Sequence, residues 1–185
     1  MRLAPGETVL VLGATGIVGR LAVQAAALLG AGRVVAAGRD ADALRRTQEL
    51  GADATVRLDA DDLPAAYRDA ARGAVDVIID YVWGPPAKAA LQAAAVGARL
   101  VQVGTSAGEE IRVPAAAMRG QSLAILGYAN YHAPLAVRAA AYRRMAELAG
   151  QSQLTGDVER FPLRQVEQAW ERQRSGARQR LVLIP

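Results

Sequence analysis

The sequence predicts an α/β fold: a doubly wound parallel sheet of about six strands with a C-terminal strand–helix–strand extension. Three features predict it. Short β-rich runs alternate with longer Ala/Leu-rich segments from Thr8 onward. The first run, Thr8–Leu12, is continuously apolar, as befits a strand buried on both faces. That run ends in Gly13-Ala-Thr-Gly16-Ile-Val-Gly19, a glycine turn between a strand and a helix.

The elements follow in order. Ile17–Leu29 has helical length and composition, and Gly30 or Gly32 ends it. Arg33–Ala37 reads as the second strand. Asp40 is placed to cap the helix Ala41–Leu50, and Gly51 follows as a stop. Ala54–Leu58 is a short third strand, and "DDLPAAYRDAAR" supplies a polar connecting helix. "VDVIID", Val75–Asp80, is the fourth strand. Pro85 and Pro86 suit the first turn of a helix carrying Ala89–Ala95. Leu100–Val103 and Leu123–Leu126 give the fifth and sixth strands, and Leu135–Ala149 a helix ending at Gly150. From Thr155 the character changes: "TGDVERFPL" reads as strand, "RQVEQAWERQ" as amphipathic helix and "RLVLIP" as a final strand. We expect a main unit over residues 1–154 and an extension over 155–185, packed as one structural unit.

Composition narrows the function. The net charge of +4 comes almost entirely from arginines scattered among acids, with no interleaved aromatics, so a solvated surface is expected and no nucleic-acid partner. No apolar run approaches the roughly 20 residues of a membrane-spanning helix. The N-terminus runs almost directly into a strand and leaves no room for a signal peptide, so a cytoplasmic address is expected. With no cysteine and one histidine, no zinc site can be assembled from this chain alone.

The glycine turn points to a dinucleotide. Gly13 lets the chain leave the strand sharply, and Gly16 lets the backbone approach a pyrophosphate. Gly19 lets helix and strand pack closely, with the phosphates at the helix N-terminus. Thr15, Ile17 and Val18 complete that cradle. The turn departs from strict G-x-G-x-x-G spacing, because Ala14 breaks the pattern. At the end of the second strand, where an acid would bind the ribose hydroxyl of NAD, the chain has Gly38 and Arg39. Glycine leaves space for a 2′-phosphate and the guanidinium can pair with it, which favours NADP(H) over NAD(H). Asp40 competes with that reading only if it faces the ribose; capping the next helix is its expected role.

"PGETVLVLGATGIVGRLAVQAAALLGAGRVVAAGRD" followed by "LGAD" resembles the cofactor domain of medium-chain dehydrogenases/reductases, in the quinone-oxidoreductase-like branch. "VDVIIDYVWGPPA", "RLVQVGTSAG" and "FPLRQVEQAWERQRSGARQRLVLIP" resemble later parts of that domain, in the same order. At the turn many relatives carry Ala-Ala-Gly-Gly where this chain has Ala14-Thr15-Gly16-Ile17. The resemblance implies a Rossmann fold and hydride transfer from NADPH to a quinone, enone or carbonyl acceptor. It also implies a GroES-like catalytic domain preceding "PGETVLV", which supplies much of the substrate pocket and, in zinc-dependent members, the metal ligands. An excised cofactor domain is expected, and a short protein that works with a partner or only senses cofactor is the alternative. The apolar strand "RLVLI" needs a pairing partner, so a homodimer through a sheet edge or the tail is expected.

Loops at the C-terminal ends of parallel strands face the ligand crevice. That places Tyr81, Trp83 and Gly84, then Val103, Gly104, Thr105 and Ser106, then Tyr128 and Asn130 near the cofactor. The resemblance implies backbone contacts to the nicotinamide from these loops. His132 is expected to be a solvated loop residue, and no side chain stands out as proton donor. "GATGIVG" also occurs in atypical short-chain dehydrogenases, but their Tyr–Lys dyad is absent: Lys88 is the sole lysine and Gly84 sits four residues before it. A catalytically incompetent dinucleotide-binding or redox-sensing module is therefore the second reading.

Overall fold

The computed structural model describes residues 3–177 and 179–185. Strand β1 (Thr8–Leu12) runs into helix α1 (Ile17–Leu28), and β2 (Arg33–Gly38) leads to α2 (Ala41–Glu49). Then come β3 (Ala54–Arg57), α3 (Leu63–Ala71), β4 (Val75–Asp80) and α4 (Gly84–Gln92). The sheet is completed by β5 (Ala94–Gln102), the short α5 (Ala115–Gly120) and β6 (Ala124–Gly127), before α6 (Leu135–Gly150). All six strands are parallel in the order β3-β2-β1-β4-β5-β6, so β1 and β4 lie at the centre and the order of strand addition across the sheet reverses between them. This is the doubly wound arrangement expected from the alternation.

Side-chain alternation along the strands builds two cores. Leu10, Leu12, Val35, Ile78 and Leu100 face α3 and α4, and Tyr67, Ala87 and Ala90 close over them. Val9, Val11, Val34 and Val77 face α1, where Ala22, Val23 and Ala26 pack against them. Burial on both faces explains why β1 and β2 read as unbroken apolar runs.

Two boundaries differ from expectation. The helix that Pro85 and Pro86 open stops at Gln92, and the fifth strand starts at Ala94, not Leu100. Ala94 pairs with Val75, and a register shift before Val77 lets the strand pass through Gly97, whose φ of +79° suits glycine. Helix α5 was not expected; it is only six residues long and buries none of them.

The tail forms β7 (Val158–Pro162), α7 (Val166–Arg174) and β8 (Arg180–Ile184), and β7 pairs with β8 in parallel as a separate two-stranded sheet. The apolar final strand thus has one partner within the chain, and its outer edge is unpaired among the described residues. Of α7 only Ala169 is buried, and Trp170 is exposed. Gln24 of α1 ties the tail to the main unit: its side chain is buried, accepts from Thr155 N (2.8 Å) and donates to Thr155 O (2.9 Å). Arg20 reaches Asp157 at 2.9 Å beside it. Gln24→Leu leaves both Thr155 backbone groups without this partner, and about 1–3 kcal/mol of stability should go with them. A thermal melt should show a drop of several degrees; an unchanged midpoint would show that the tether is dispensable.

Candidate functional site

The glycine turn sits at the C-terminal end of β1. Gly13, at φ +79°, and Ala14 both donate to Ala37 O, at 3.0 and 2.9 Å, and Gly16 N donates to Gly13 O at 3.1 Å. A Cβ at Gly19 would lie 2.2 Å from Gly13 O, so α1 approaches the turn as closely as only glycine permits. Gly16 is the N-cap of α1; no side chain caps this end and no acid stands in the first turn. The N–H groups of Ile17, Val18 and Gly19 have no carbonyl partner within the helix, and the helix dipole lies behind them; Gly19 itself is buried against the turn, and a pyrophosphate fits such an N-terminus.

From this turn a cleft of about 370 Å³ runs past Gly38 and Arg39, with Leu58 and Asp59 on one side and Val82 and Pro86 on the other. Gly38 is buried, and a Cβ there would lie 2.6 Å from Thr15 Cγ2. Arg39 is exposed at the cleft mouth. Asp40 caps α2 through Ala43 N (2.8 Å), the role expected of it. Asp59, not anticipated from the sequence, is paired with Arg57, whose guanidinium holds the Asp59 carboxyl below its usual range.

The remaining expected residues fall elsewhere along the strand ends. Tyr81, Val103 and Tyr128 line a second, apolar groove of about 460 Å³ on the α1 side of the sheet, with Val18, Ile79 and Val101. Ile17 borders a third hollow between α1, α2 and the tail. Gly104 packs where a Cβ would meet Tyr81 O at 2.5 Å, and Thr105 is exposed in the same turn. The structure thus separates the expected set, with the glycine turn between two clefts. His132 is exposed, edge-on to Tyr131, and stands in neither. Ser106, expected near the cofactor, lines the first cleft; Val82, Pro86 and Ala107 beside it have no site role in the sequence reading and come, like Ser106, from the segments that follow β4 and β5.

Beneath those turns lies a buried acid. Asp80, fully buried at the end of β4, accepts from Val82 N (2.9 Å) and Trp83 N (2.8 Å) through Oδ1. Its Oδ2 and the hydroxyl of buried Tyr67 have no hydrogen-bond partner. Burial pushes the Asp80 carboxyl up, and the two N–H donors offset only part of this. Burial and the nearby Asp80 charge push the Tyr67 phenol up. Because the folded state holds the Asp80 proton to higher pH than the unfolded chain, this group's contribution is fully present below the ordinary carboxylate pKa. It is lost as pH rises through the raised value. Asp80→Asn keeps an acceptor and removes the charge, so it should raise Tm more at about pH 7 than at about pH 4. Equal shifts at the two pH values would contradict the burial argument.

Comparison with known proteins matches the family description "Zinc-binding dehydrogenase" over residues 18–149. The chain belongs to that family. It corresponds to the nucleotide-binding half of the medium-chain dehydrogenases/reductases. The structure of AibC superposes with a TM-score of 0.86 at 30% identity, covering 99% of this chain and 50% of that one. The quinone oxidoreductase of Thermus thermophilus, described with its NADPH complex, gives 0.73 at 29% identity, covering 90% of this chain and 54% of that one. A probable alcohol dehydrogenase of Mycobacterium tuberculosis is 42% identical over 86 residues, which is 45% of this chain and 23% of that protein. The chain therefore spans about half the length of these solved relatives. The zinc of the family description does not fit the residues present: the chain has no cysteine and one histidine. Among the described residues no three His, Cys, Asp or Glu converge.

Proposed function

We propose that this chain binds NADP(H) and presents its nicotinamide for hydride exchange with a quinone, enone or other carbonyl acceptor. The observation that carries the reading is the continuous path from the uncapped α1 N-terminus to Gly38 and Arg39. The N–H groups of Ile17, Val18 and Gly19 take the pyrophosphate. Gly38 lets Thr15 seat against the end of β2, and Arg39 offers a guanidinium for a 2′-phosphate, while the Asp40 carboxylate is engaged by its own helix. Past the turn, Val18, Tyr81, Val103 and Tyr128 offer an apolar wall against which a nicotinamide can lie. The NADPH complex of the Thermus thermophilus relative supports the choice of cofactor. When bound, the dinucleotide supplies the hydride; the chain supplies orientation and water exclusion.

A second reading, cofactor binding without turnover by this chain alone, is favoured by one observation. The groove proposed for the nicotinamide is lined, among the described residues, by apolar side chains with Tyr81 and Tyr128 as its hydroxyls; burial pushes the Tyr81 phenol up, and no histidine or lysine lines the groove to protonate an acceptor. The acceptor site then comes from a GroES-like catalytic domain or a second copy. The edge of β6, paired on one side only, suits such a copy.

Titration with NADPH and NADH tests the common core of both readings, and NADPH oxidation with quinones and enones separates them. Tighter NADPH binding is expected. Failure to bind either dinucleotide would remove the proposal. Efficient turnover by the chain alone would remove the second reading.

A further inference from the structure

We infer that Asp80 is the positioning residue of the cofactor cleft: its buried carboxylate holds the turn after β4 against the glycine turn. This rests on the dinucleotide-binding reading above, which it deepens. The turn it holds is unfavourable in isolation. Trp83 has φ 57° and ψ −158°, a region that essentially only glycine adopts freely. Two hydrogen bonds from Val82 N and Trp83 N to Asp80 Oδ1 fix that conformation in a place where no solvent competes.

The consequences reach the cleft directly. Val82 is thereby pressed onto Gly13, where a Cβ would lie 2.9 Å from its Cγ1. Val82 O in turn accepts from Ala107 N at 2.7 Å, and Gly84 lies under Ala107, where a Cβ would meet Ala107 O at 2.6 Å. The Asp80 main-chain oxygen accepts from Val103 N (2.8 Å) and Gly104 N (3.3 Å). One residue therefore joins the turns after β4 and β5 to the glycine turn. Val82, Ser106 and Ala107, the cleft wall facing Gly13 and Gly16, come from the segments it ties together.

The buried charge is a costly way to hold a turn, which argues for this use of it. An apolar residue would fill the volume but leave two inward amides unpaired. Trp83 is partly buried beside the carboxylate, and Trp170 is exposed, so a Trp170→Phe background makes Trp83 a reporter of the turn.

The test combines dinucleotide titration, Trp83 emission and amide exchange in that background. Asp80→Ala should weaken NADPH and NADH alike, by about tenfold, and shift Trp83 emission to the red. Asp80→Asn, which keeps an acceptor, should bind within about twofold of the parent. In a Trp83→Gly background the Asp80→Ala loss should shrink to about threefold or less, because glycine adopts the turn unaided. A folded Asp80→Ala protein with unchanged affinity and emission would overturn the inference, as would a loss undiminished by Trp83→Gly. If Asp80→Ala does not fold, exchange in the parent decides: slow Val82 and Trp83 amides support it and freely exchanging ones overturn it. If the parent binds neither dinucleotide, the cofactor reading falls, while emission and exchange still judge whether Asp80 holds the turn.

Discussion

Arg39→Ala is expected to weaken NADPH binding by roughly 10- to 100-fold, the worth of a charge-assisted pair of hydrogen bonds, while leaving NADH within about twofold. The two cofactors differ only at the adenosine 2′ position, and Arg39 is the cation at the cleft mouth after β2. The neighbouring acid does not oppose it, because Asp40 is engaged by Ala43 N. Asp59, also in the cleft lining, is ion-paired with Arg57. Arg39→Lys should fall between the two, since it keeps the charge and loses the planar fork. Parallel titrations of the three proteins decide the matter. Equal losses for NADPH and NADH would show that Arg39 shapes the cleft without reading the phosphate, and tighter NADH binding by the parent would reverse the cofactor assignment.

The part of this cleft that could be read from the sequence is the part built locally. Gly13, Gly16 and Gly19 act through spacings of three residues on one turn, and Gly38–Arg39–Asp40 through position at one strand end. The opposite wall could not be read this way. Ser106 is named by its place after β5, but Val82, Pro86 and Ala107 come to the Gly13 cleft only because β4 lies beside β1 in the order β3-β2-β1-β4-β5-β6. Strand order is a property of the whole sheet, and no local pattern near Val82 carries it. The signal available was the rule that crevices open where that order reverses, which names the turns but not the side chains. Tyr81, Val103 and Tyr128 show the converse. Proximity to strand ends selected them correctly as loop residues, yet side-chain alternation turns them to the α1 face, away from the Gly38 cleft. The start of β5 at Ala94 was hidden for a different reason. Its opening Ala-Ala-Val-Gly run continues the composition of the preceding helix, and only pairing with Val75 makes it a strand.

The glycines themselves separate into two jobs that a paired substitution should resolve. At Gly19 an added methyl would sit 2.2 Å from Gly13 O and 2.7 Å from Ala14 Cα. Both obstacles are backbone, so α1 must retreat by about an ångström and the packing of Val23 and Ala26 on Val9 and Val34 goes with it. Gly19→Ala should therefore cost about 3 kcal/mol or more, at the upper end for overpacked sites, and much of the protein should be lost to unfolding on mild heating. At Gly16 the same methyl meets only Gly13 O, at 3.4 Å, and the backbone at φ −73° accepts alanine without strain. Gly16→Ala should keep a melting point within a few degrees of the parent. It places its methyl beside the N–H groups of the α1 N-terminus, where the pyrophosphate must come closest, so dinucleotide affinity should fall by about tenfold or more. Stability is then the readout at Gly19 and affinity the readout at Gly16. A Gly16→Ala protein that binds normally would mean that the phosphates do not approach the backbone at this turn. A Gly19→Ala protein that melts like the parent would mean that α1 is not held against β1 as closely as the 2.2 Å contact requires.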